Sequence, residues 1–320
     1  MKKILFIILP LLANAMALLA QTPANPVITG ADPHAIRIRK EYWVYPTNSS
    51  DTGVFRRADR FFGYASRDLV KWENRGTLIL QDDIAWIKDD SARSHSLWAP
   101  AMFRKGKKYY LYYSVGPQNP TPSRIGVAVS NSPAHGFKDS GKQLLTGGNG
   151  FEAIDPMVFK DPRTKNTYLY CGGSAGAKLR VFKLKANLVE IDHEVEVAQP
   201  PAFTEGAFMH VRNGIYYLSY SHGSWNNSSY SVHYATSKSA VGPWDYKGVV
   251  LASDSTHKGP GHHSFLADRS GKKWYIVYHR WEKTGEGPYR GARKTAVEEI
   301  RFTKTGDIEP IKMTDGVAAK

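Results

Sequence analysis

The sequence predicts an all-β fold, a five-bladed β-propeller with four-stranded blades around a central channel. Five segments repeat one design, with a polar or aromatic marker, a short apolar stretch, a charged turn and an aromatic-rich strand, and their markers lie 66, 57, 50 and 57 residues apart. Each segment is followed by a second half that also recurs, so each unit holds about four strands. Amphipathic helices of twelve or more residues are absent after the N-terminal segment. Four-stranded units repeated around a ring leave only short, protected edges, whereas a two-sheet sandwich does not explain five equivalent units.

The first unit opens at Asp32 in ADPHAIRIRKEYWVYPTNS and continues in GYASRDLVKWENRGTLIL. An insertion from Asp82 to Ser96 separates it from the second, which reads WAPAMFRKGKKYYLYYSVG from Trp98 and then GVAVSNSPAHGFKDSGKQLL. The third unit is DPMVFKDPRTKNTYLYCGGS from Asp155, then RVFKLKANLVEIDHEVEV. In the fourth, TEGAFMHVRNGIYYLSYSHGS carries Glu205 and leads to HYATSKSAVGPWDYKGVVL. The fifth is GHHSFLADRSGKKWYIVYHRW with His262, then AVEEIRFTKTGDIEPIKM. The Arg-Lys-Gly-Lys-Lys, Arg-Asn-Gly and Arg-Ser-Gly-Lys-Lys stretches are hairpin connectors between runs rich in Tyr, Ile, Val and Phe.

Residues 1–20 read as a secretory signal peptide, because Lys2 and Lys3 precede an apolar run from Ile4 to Leu12 and then small residues including Ala15, Ala17 and Ala20. Residues 21–320 are then a single propeller domain, exported to the periplasm or medium. No later run approaches the roughly 18 apolar residues of a membrane span. The only cysteine, Cys171, cannot form an intrachain disulfide, so the core holds the domain together, and a zinc site lacks its usual thiolates. Formal charge is +14 and is spread along the chain without a long basic block. Export argues against nucleic acid as a partner; the charge suits an acidic polysaccharide, an anionic surface, or simple solubility.

Because the first strand of each blade lines the channel, the five markers should converge. Asp32, Asp155 and Glu205, carboxylates at equivalent points of three blades, are expected in one pocket at the channel mouth. Like charges crowded there push at least one pKa upward, which serves acid/base chemistry. Inverting glycoside hydrolysis needs one carboxylic acid for the leaving oxygen and one carboxylate to activate water, and a third can hold the acid protonated.

These residues resemble glycoside hydrolase family 43, five-bladed enzymes acting on arabinose- and xylose-containing polysaccharides. The likeness runs from Asp32 to about Lys312, through Ala-Asp-Pro, Trp-Ala-Pro, Ile-Asp-Pro, Thr-Glu-Gly-Ala and Gly-Pro-Gly-His-His in that order. It implies Asp32 as general base, Glu205 as general acid and Asp155 as the residue that raises and orients the acid. It places His262 beneath the site, where a cation, often calcium, is commonly held largely through water; His263, expected on the opposite side of its strand, is the weaker ligand. Arg293 resembles the family's late-blade sugar-binding arginine, with Arg280 as a second candidate. Trp98 and Trp225 are candidates for stacking on a sugar, with core packing and an exposed turn as their alternatives.

No cofactor is expected for the chemistry, and the partner is an arabinose- or xylose-containing glycan. The insertion before the second unit is expected to close one side of the site, favouring removal of terminal sugars. The expectation is an exo-acting α-L-arabinofuranosidase; β-xylosidase, endo-arabinanase, galactanase and a non-catalytic carbohydrate-binding propeller are the alternatives. A retaining fructan-processing propeller would carry Arg-Asp-Pro where this chain has Ile154-Asp155-Pro156.

Overall fold

A computed structural model describes residues 25–49, 58–174 and 176–315. The proposed signal peptide lies outside the described residues. Strands follow one another almost without helix; two short 3-10 turns, Gln81–Asp83 and Ala85–Asp89, lie in the insertion between the first two repeats. After a short N-terminal strand β1 (Ile28–Thr29), the first blade comprises β2 (Ala31–Ile38), β3 (Glu41–Thr47), β4 (Arg60–Ser66) and β5 (Glu73–Leu80). The second has β6 (Ser96–Lys105), β7 (Lys108–Gly116) and β8 (Arg124–Ser130), and its outer strand is split into β9 (Lys138–Asp139) and β10 (Leu145–Thr146), both on β8.

The third blade is β11 (Met157–Lys160), β12 (Thr167–Cys171), β13 (Arg180–Leu184) and β14 (Ile191–Val195). The fourth is β15 (Glu205–Arg212), β16 (Ile215–His222), β17 (Ser231–Ser237) and β18 (Asp245–Leu251). The fifth supplies β19 (Lys258–Ala267), β20 (Trp274–Trp281) and β21 (Lys294–Ile300). Neighbours within each blade are antiparallel, so the five repeats are five blades in a ring.

The fifth blade departs from the expected pattern. Its sequence repeat yields only three strands, and the fourth is β1, paired with β21 through Ile28↔Thr295 and Thr29↔Lys294. The segment after β21 forms instead an isolated bridge, Phe302↔Ile308. Asn25 secures the closure: its amide donates to the Val297 carbonyl and Glu298 Oε1, both at 2.9 Å, while its oxygen accepts the Val297 N–H at 2.8 Å. β1 thus covers the outer edge of β21.

The core lies between blades. Trp43, Tyr45 and Phe61 of the first meet Leu97, Leu111 and Tyr113 of the second; Tyr112 and Ile125 of the second meet Leu169 and Phe182 of the third. Another cluster joins the third, fourth and fifth blades, and Val44, Val277 and Val297 pack first against fifth. Cys171 is buried and free.

Candidate active site

The innermost strands share one irregularity. Asp32, Ala99, Asp155, Gly206 and His262 all have positive φ, between 37° and 63°, and in β2, β6, β15 and β19 the register slips there. These five residues are the true equivalents around the ring. Of the repeat markers, Asp32, Asp155 and His262 hold this position, whereas Trp98 and Glu205 lie one residue earlier, at the position of Ala31, Ile154 and Gly261. The expectation that all three carboxylates are equivalent is corrected accordingly.

The bulge turns each backbone N–H toward the preceding blade, where the end of that blade's second strand receives it. Ala99 N–H donates to Thr47 Oγ1 (2.7 Å), Asp155 N–H to Ser114 Oγ (2.9 Å), His262 N–H to Ser221 Oγ (2.8 Å) and Asp32 N–H to His279 Nδ1 (3.0 Å). By strand register the remaining acceptor position is Gly172, where a Cβ would fall 1.9 Å from the Lys178 carbonyl oxygen. No side chain fits, and Gly206 N–H is taken by Asp155 Oδ2 at 3.0 Å. The five bonds form a belt beneath the pocket.

Asp32 is 7% exposed. Burial alone would raise its pKa, but the Arg293 guanidinium at 2.8 Å is the largest of the influences that outweigh it and hold the carboxyl well below the usual range. Arg293 immediately precedes β21 and is held from behind by Trp225, whose ring centre lies 5.1 Å from the guanidinium carbon. His279, fully buried and neutral with its pKa lowered to about 4 by burial, also lies 3.3 Å from Asp32 Oδ1. Asp32 is therefore fixed as an ion.

Asp155 and Glu205 are shifted the other way. Burial, then the charges of Glu205 and Asp32, push Asp155 well above the ordinary range. Glu205 is raised mainly by burial, with Asp32 adding to it and the Tyr230 hydroxyl, donating to Oε1 at 2.6 Å, opposing. The pair holds a proton where isolated carboxyls would have lost theirs. Tyr230 fits because Gly261 has no side chain; a Cβ there would fall 2.0 Å from its ring. The same ring stacks on His279 at 5.7 Å and 10°, so one aromatic side chain meets both Glu205 and the imidazole that accepts the Asp32 N–H.

His262 Nδ1 stands 3.4 Å from Asp155 Oδ2 and 3.6 Å from Asp32 Oδ1. Trp98 is half-buried, its ring close over Gly116, at the ring position that Glu205 occupies in the fourth blade. Trp225 backs Arg293 and stacks on Trp281, so it is neither a bare turn nor mere core. Arg280 is not brought to this cluster: it is fully buried, its guanidinium on Glu282 Oε1 (2.8 Å), the Tyr278 hydroxyl and the Thr314 carbonyl, a structural ion pair that corrects its candidacy for sugar. Tyr230, His279 and the belt acceptors were not anticipated. Their signal was present, since Thr47, Ser114, Ser221 and His279 end the aromatic strands of four repeats with a polar side chain.

A calcium ion takes six to eight oxygens. Around His262 the protein oxygens are those of Asp32 and Asp155, already committed to Arg293 and to Gly206. The other buried imidazoles nearby add no oxygen: His210, packed against Tyr217, Phe265 and Trp274, has both ring nitrogens unpartnered among the described residues, His263 Nδ1 likewise, and His263 Nε2 meets Ser219 Oγ at 2.7 Å. This donor set does not build a calcium cage from protein atoms; a calcium beside His262 would keep most of its own water. Elsewhere, one ligand atom each from His257, Glu282 and Asp315 lie within 4.8 Å of one another, with the two carboxylates exposed.

A propeller that gathers three carboxylates at its channel mouth, one held ionised and two sharing a proton, has the constitution of a glycoside hydrolase. The chain belongs to glycosyl hydrolases family 43, whose model matches residues 23–308; the family is an inverting one and needs no cofactor for its chemistry. Among its relatives are a β-D-galactofuranosidase of Aspergillus niger, 32% identical over 92% of this chain and 87% of that one, and a xylosidase/arabinosidase of Bacteroides ovatus, 27% identical over 78% and 85%. A thermostable family-43 glycoside hydrolase of known structure superposes with a TM-score of 0.75 over 93% of this chain and 98% of that one, at 24% identity.

Proposed function

We propose that the protein is an exo-acting α-L-arabinofuranosidase with Asp32 as general base, Glu205 as general acid and Asp155 as the modulator of the acid. The observation that carries the reading is the opposite electrostatic treatment of Asp32 and the Asp155–Glu205 pair. Ionised Asp32 takes a proton from water as its oxygen attacks the anomeric carbon. Glu205 passes its proton to the departing glycosidic oxygen on the other face, and the anomeric configuration inverts. Arg293 keeps Asp32 charged until the water's proton arrives.

The choice of a furanoside is supported by the relatives' names, a galactofuranosidase and an arabinosidase. β-D-Galactofuranose and α-L-arabinofuranose carry the same configuration around the ring and differ in the exocyclic group at C4. Exo action is proposed from the insertion as a fixed wall: its Ile84, Trp86 and Ile87 pack into the core between the first two blades and Arg124 anchors it to the second. Its guanidinium reaches the Trp86 and Ile87 carbonyls and Asp90 and lies 5.0 Å from the Trp86 ring. β-Xylosidase is the second reading, favoured by the xylosidase half of the Bacteroides ovatus name. A binding module gains nothing from three desolvated carboxylates. Export is part of the proposal; among the described residues no helix is long and apolar enough to cross a membrane.

The test is monosaccharide release from aryl arabinofuranosides, galactofuranosides and xylosides and from linear and branched arabinan, by wild type, Asp32→Ala and Glu205→Ala. Asp32→Ala should be inactive on every substrate, whereas Glu205→Ala should retain activity on aryl glycosides whose leaving group needs no proton. Wild-type activity confined to xylosides would replace the arabinofuranosidase reading. Asp32→Ala as active as wild type would remove Asp32 from the chemistry.

A further inference from the structure

A second concavity opens where the loop after β7 faces the loop before β11. The two are stitched at one end, where Gly147 N–H donates to the Ser123 carbonyl at 2.8 Å, and the second folds back on itself through paired bonds between Gly148 and Phe151. Beyond the stitch they part to leave a cleft of about 270 Å³, lined by Gln118, Asn119, Ser123, Phe151 and Glu152 among others. That is slightly below the roughly 300–1,000 Å³ typical of drug-sized ligands, the scale of a single sugar ring.

Its lining is suited to hydroxyl groups. Ser123 is 1% exposed, yet its hydroxyl has no partner among the described residues, a condition that buried polar groups rarely keep without a ligand or water. The half-buried Gln118 and exposed Asn119 add two carboxamides, each a donor and an acceptor. Phe151 contributes an apolar wall.

The cleft is tied to the catalytic acid. Glu152 Oε2 accepts the Ser174 hydroxyl at 3.0 Å, and the Ser174 backbone N–H acts on Glu205, favouring its ionised form. Next to Ser174, Gly173 abuts Glu205, a Cβ there lying 3.4 Å from the Glu205 Cβ. Thus a single residue stands between Glu205 and the cleft wall. A general acid must lie within hydrogen-bond reach of the oxygen it protonates, so the sugar carried by that oxygen extends outward from Glu205.

Building on the arabinofuranosidase reading, we propose that this cleft is the subsite for the departing sugar, in which Gln118, Asn119 and Ser123 bind the hydroxyls of the pentose unit released with the leaving oxygen. These residues act on glycan leaving groups and not on aryl ones, which offer no hydroxyls to bind.

The experiment compares kcat/KM for 4-nitrophenyl α-L-arabinofuranoside and for α-1,5-arabinotriose in wild type, the Gln118→Ala/Asn119→Ala double variant and Ser123→Ala. Two lost hydrogen bonds at about 1 kcal/mol each should lower the double variant on arabinotriose by about thirtyfold, mainly through KM, with the aryl substrate within about twofold. Ser123→Ala should show the same selectivity at about fivefold. Retained aryl activity reports an intact fold. Equal losses on both substrates, or none on arabinotriose, would overturn the subsite. Wild type inactive on both substrates would overturn the arabinofuranosidase reading and this inference with it, a pattern distinct from an active wild type with unselective variants.

Discussion

Asp155 Oδ2 accepts the Gly206 N–H at 3.0 Å, making with a carboxylate the inter-blade bond that Thr47, Ser114, Ser221 and His279 make elsewhere in the ring. Gly206 directly follows Glu205, so this bond fixes the backbone of the proposed acid, and the carboxyl that makes it is one of the buried pair that shares a proton. On the proposed roles, positioning and pKa control reside in one side chain.

The two roles separate by substitution. Asp155→Asn keeps an oxygen for Gly206 but removes the charge, so Glu205 should lose its proton more easily. The alkaline limb of the kcat/KM profile, where the acid ionises, should move down by on the order of one pH unit, equivalent to about 1.4 kcal/mol. Asp155→Ala loses the bond too and should have the lower kcat at every pH. An unshifted profile in Asp155→Asn would leave Asp155 a purely structural acceptor.

Tyr230→Phe should move the same limb in the opposite direction. Its hydroxyl stabilises ionised Glu205, so removal raises the pKa and extends activity to higher pH. With the carboxyl less firmly held, kcat should fall about tenfold, given about 1.5 kcal/mol for a hydrogen bond to a charged group. A downward shift would contradict the assigned direction.

Arg293→Gln should act on the acidic limb. Arg293 is the largest of the influences holding Asp32 ionised; without it the base protonates at higher pH, and the limb should rise by about one unit or more. Trp225→Ala, which removes only the ring behind the guanidinium, should shift the same limb in the same direction by less. Profiles identical to wild type in both variants would detach the pair from the base.

Buried imidazoles should make the fold acid-sensitive. Burial, aided by Arg212, lowers His210 to about 3, so it stays neutral in the native state while the unfolded chain protonates near 6.5. Its contribution is complete above pH 6.5 and is lost as pH falls from 6.5 toward 3, at up to about 1.4 kcal/mol per unit. Asp155 and Glu205, raised in the fold, contribute with the opposite sign, so the difference between variant and wild type is the informative quantity. His210→Phe, filling the space between Tyr217 and Phe265, should lose less stability than wild type between pH 6.5 and 4 in denaturant titrations. Parallel losses would show that His210 titrates normally.

Much of this was legible because a propeller is written as a repeat. The charged turns and aromatic strands announce each hairpin, and matched markers bring Asp32, Asp155 and His262 to one height although they are far apart in sequence. What the repeat could not reveal was the bulge. Positive φ at Ala99 and Gly206 displaces Trp98 and Glu205 by one position, and bulges leave no compositional mark when the residue adopting them is Ala or Asp. Arg293 and Arg280 look alike in sequence, yet one reaches Asp32 and the other is sealed among Glu282, Tyr278 and Thr314. The fourth strand of the fifth blade comes from β1 and not from the segment after β21, because local pattern marks a strand but not its partner 265 residues away.

Closure of the ring by β1 also means that Asp32, the proposed base, waits longest for its partners as the chain emerges. Asp32 belongs to the first blade made, whereas its supports His279 and Arg293 lie 247 and 261 residues later. Chains emerge N-terminus first at about 5–20 residues per second, so a nascent chain carries Asp32 for ten seconds or more with neither partner. Only when β20 and β21 have formed and captured β1 do all three meet. A chain cut before β20 therefore keeps Asp32 but lacks both His279 and Arg293, the groups that hold it.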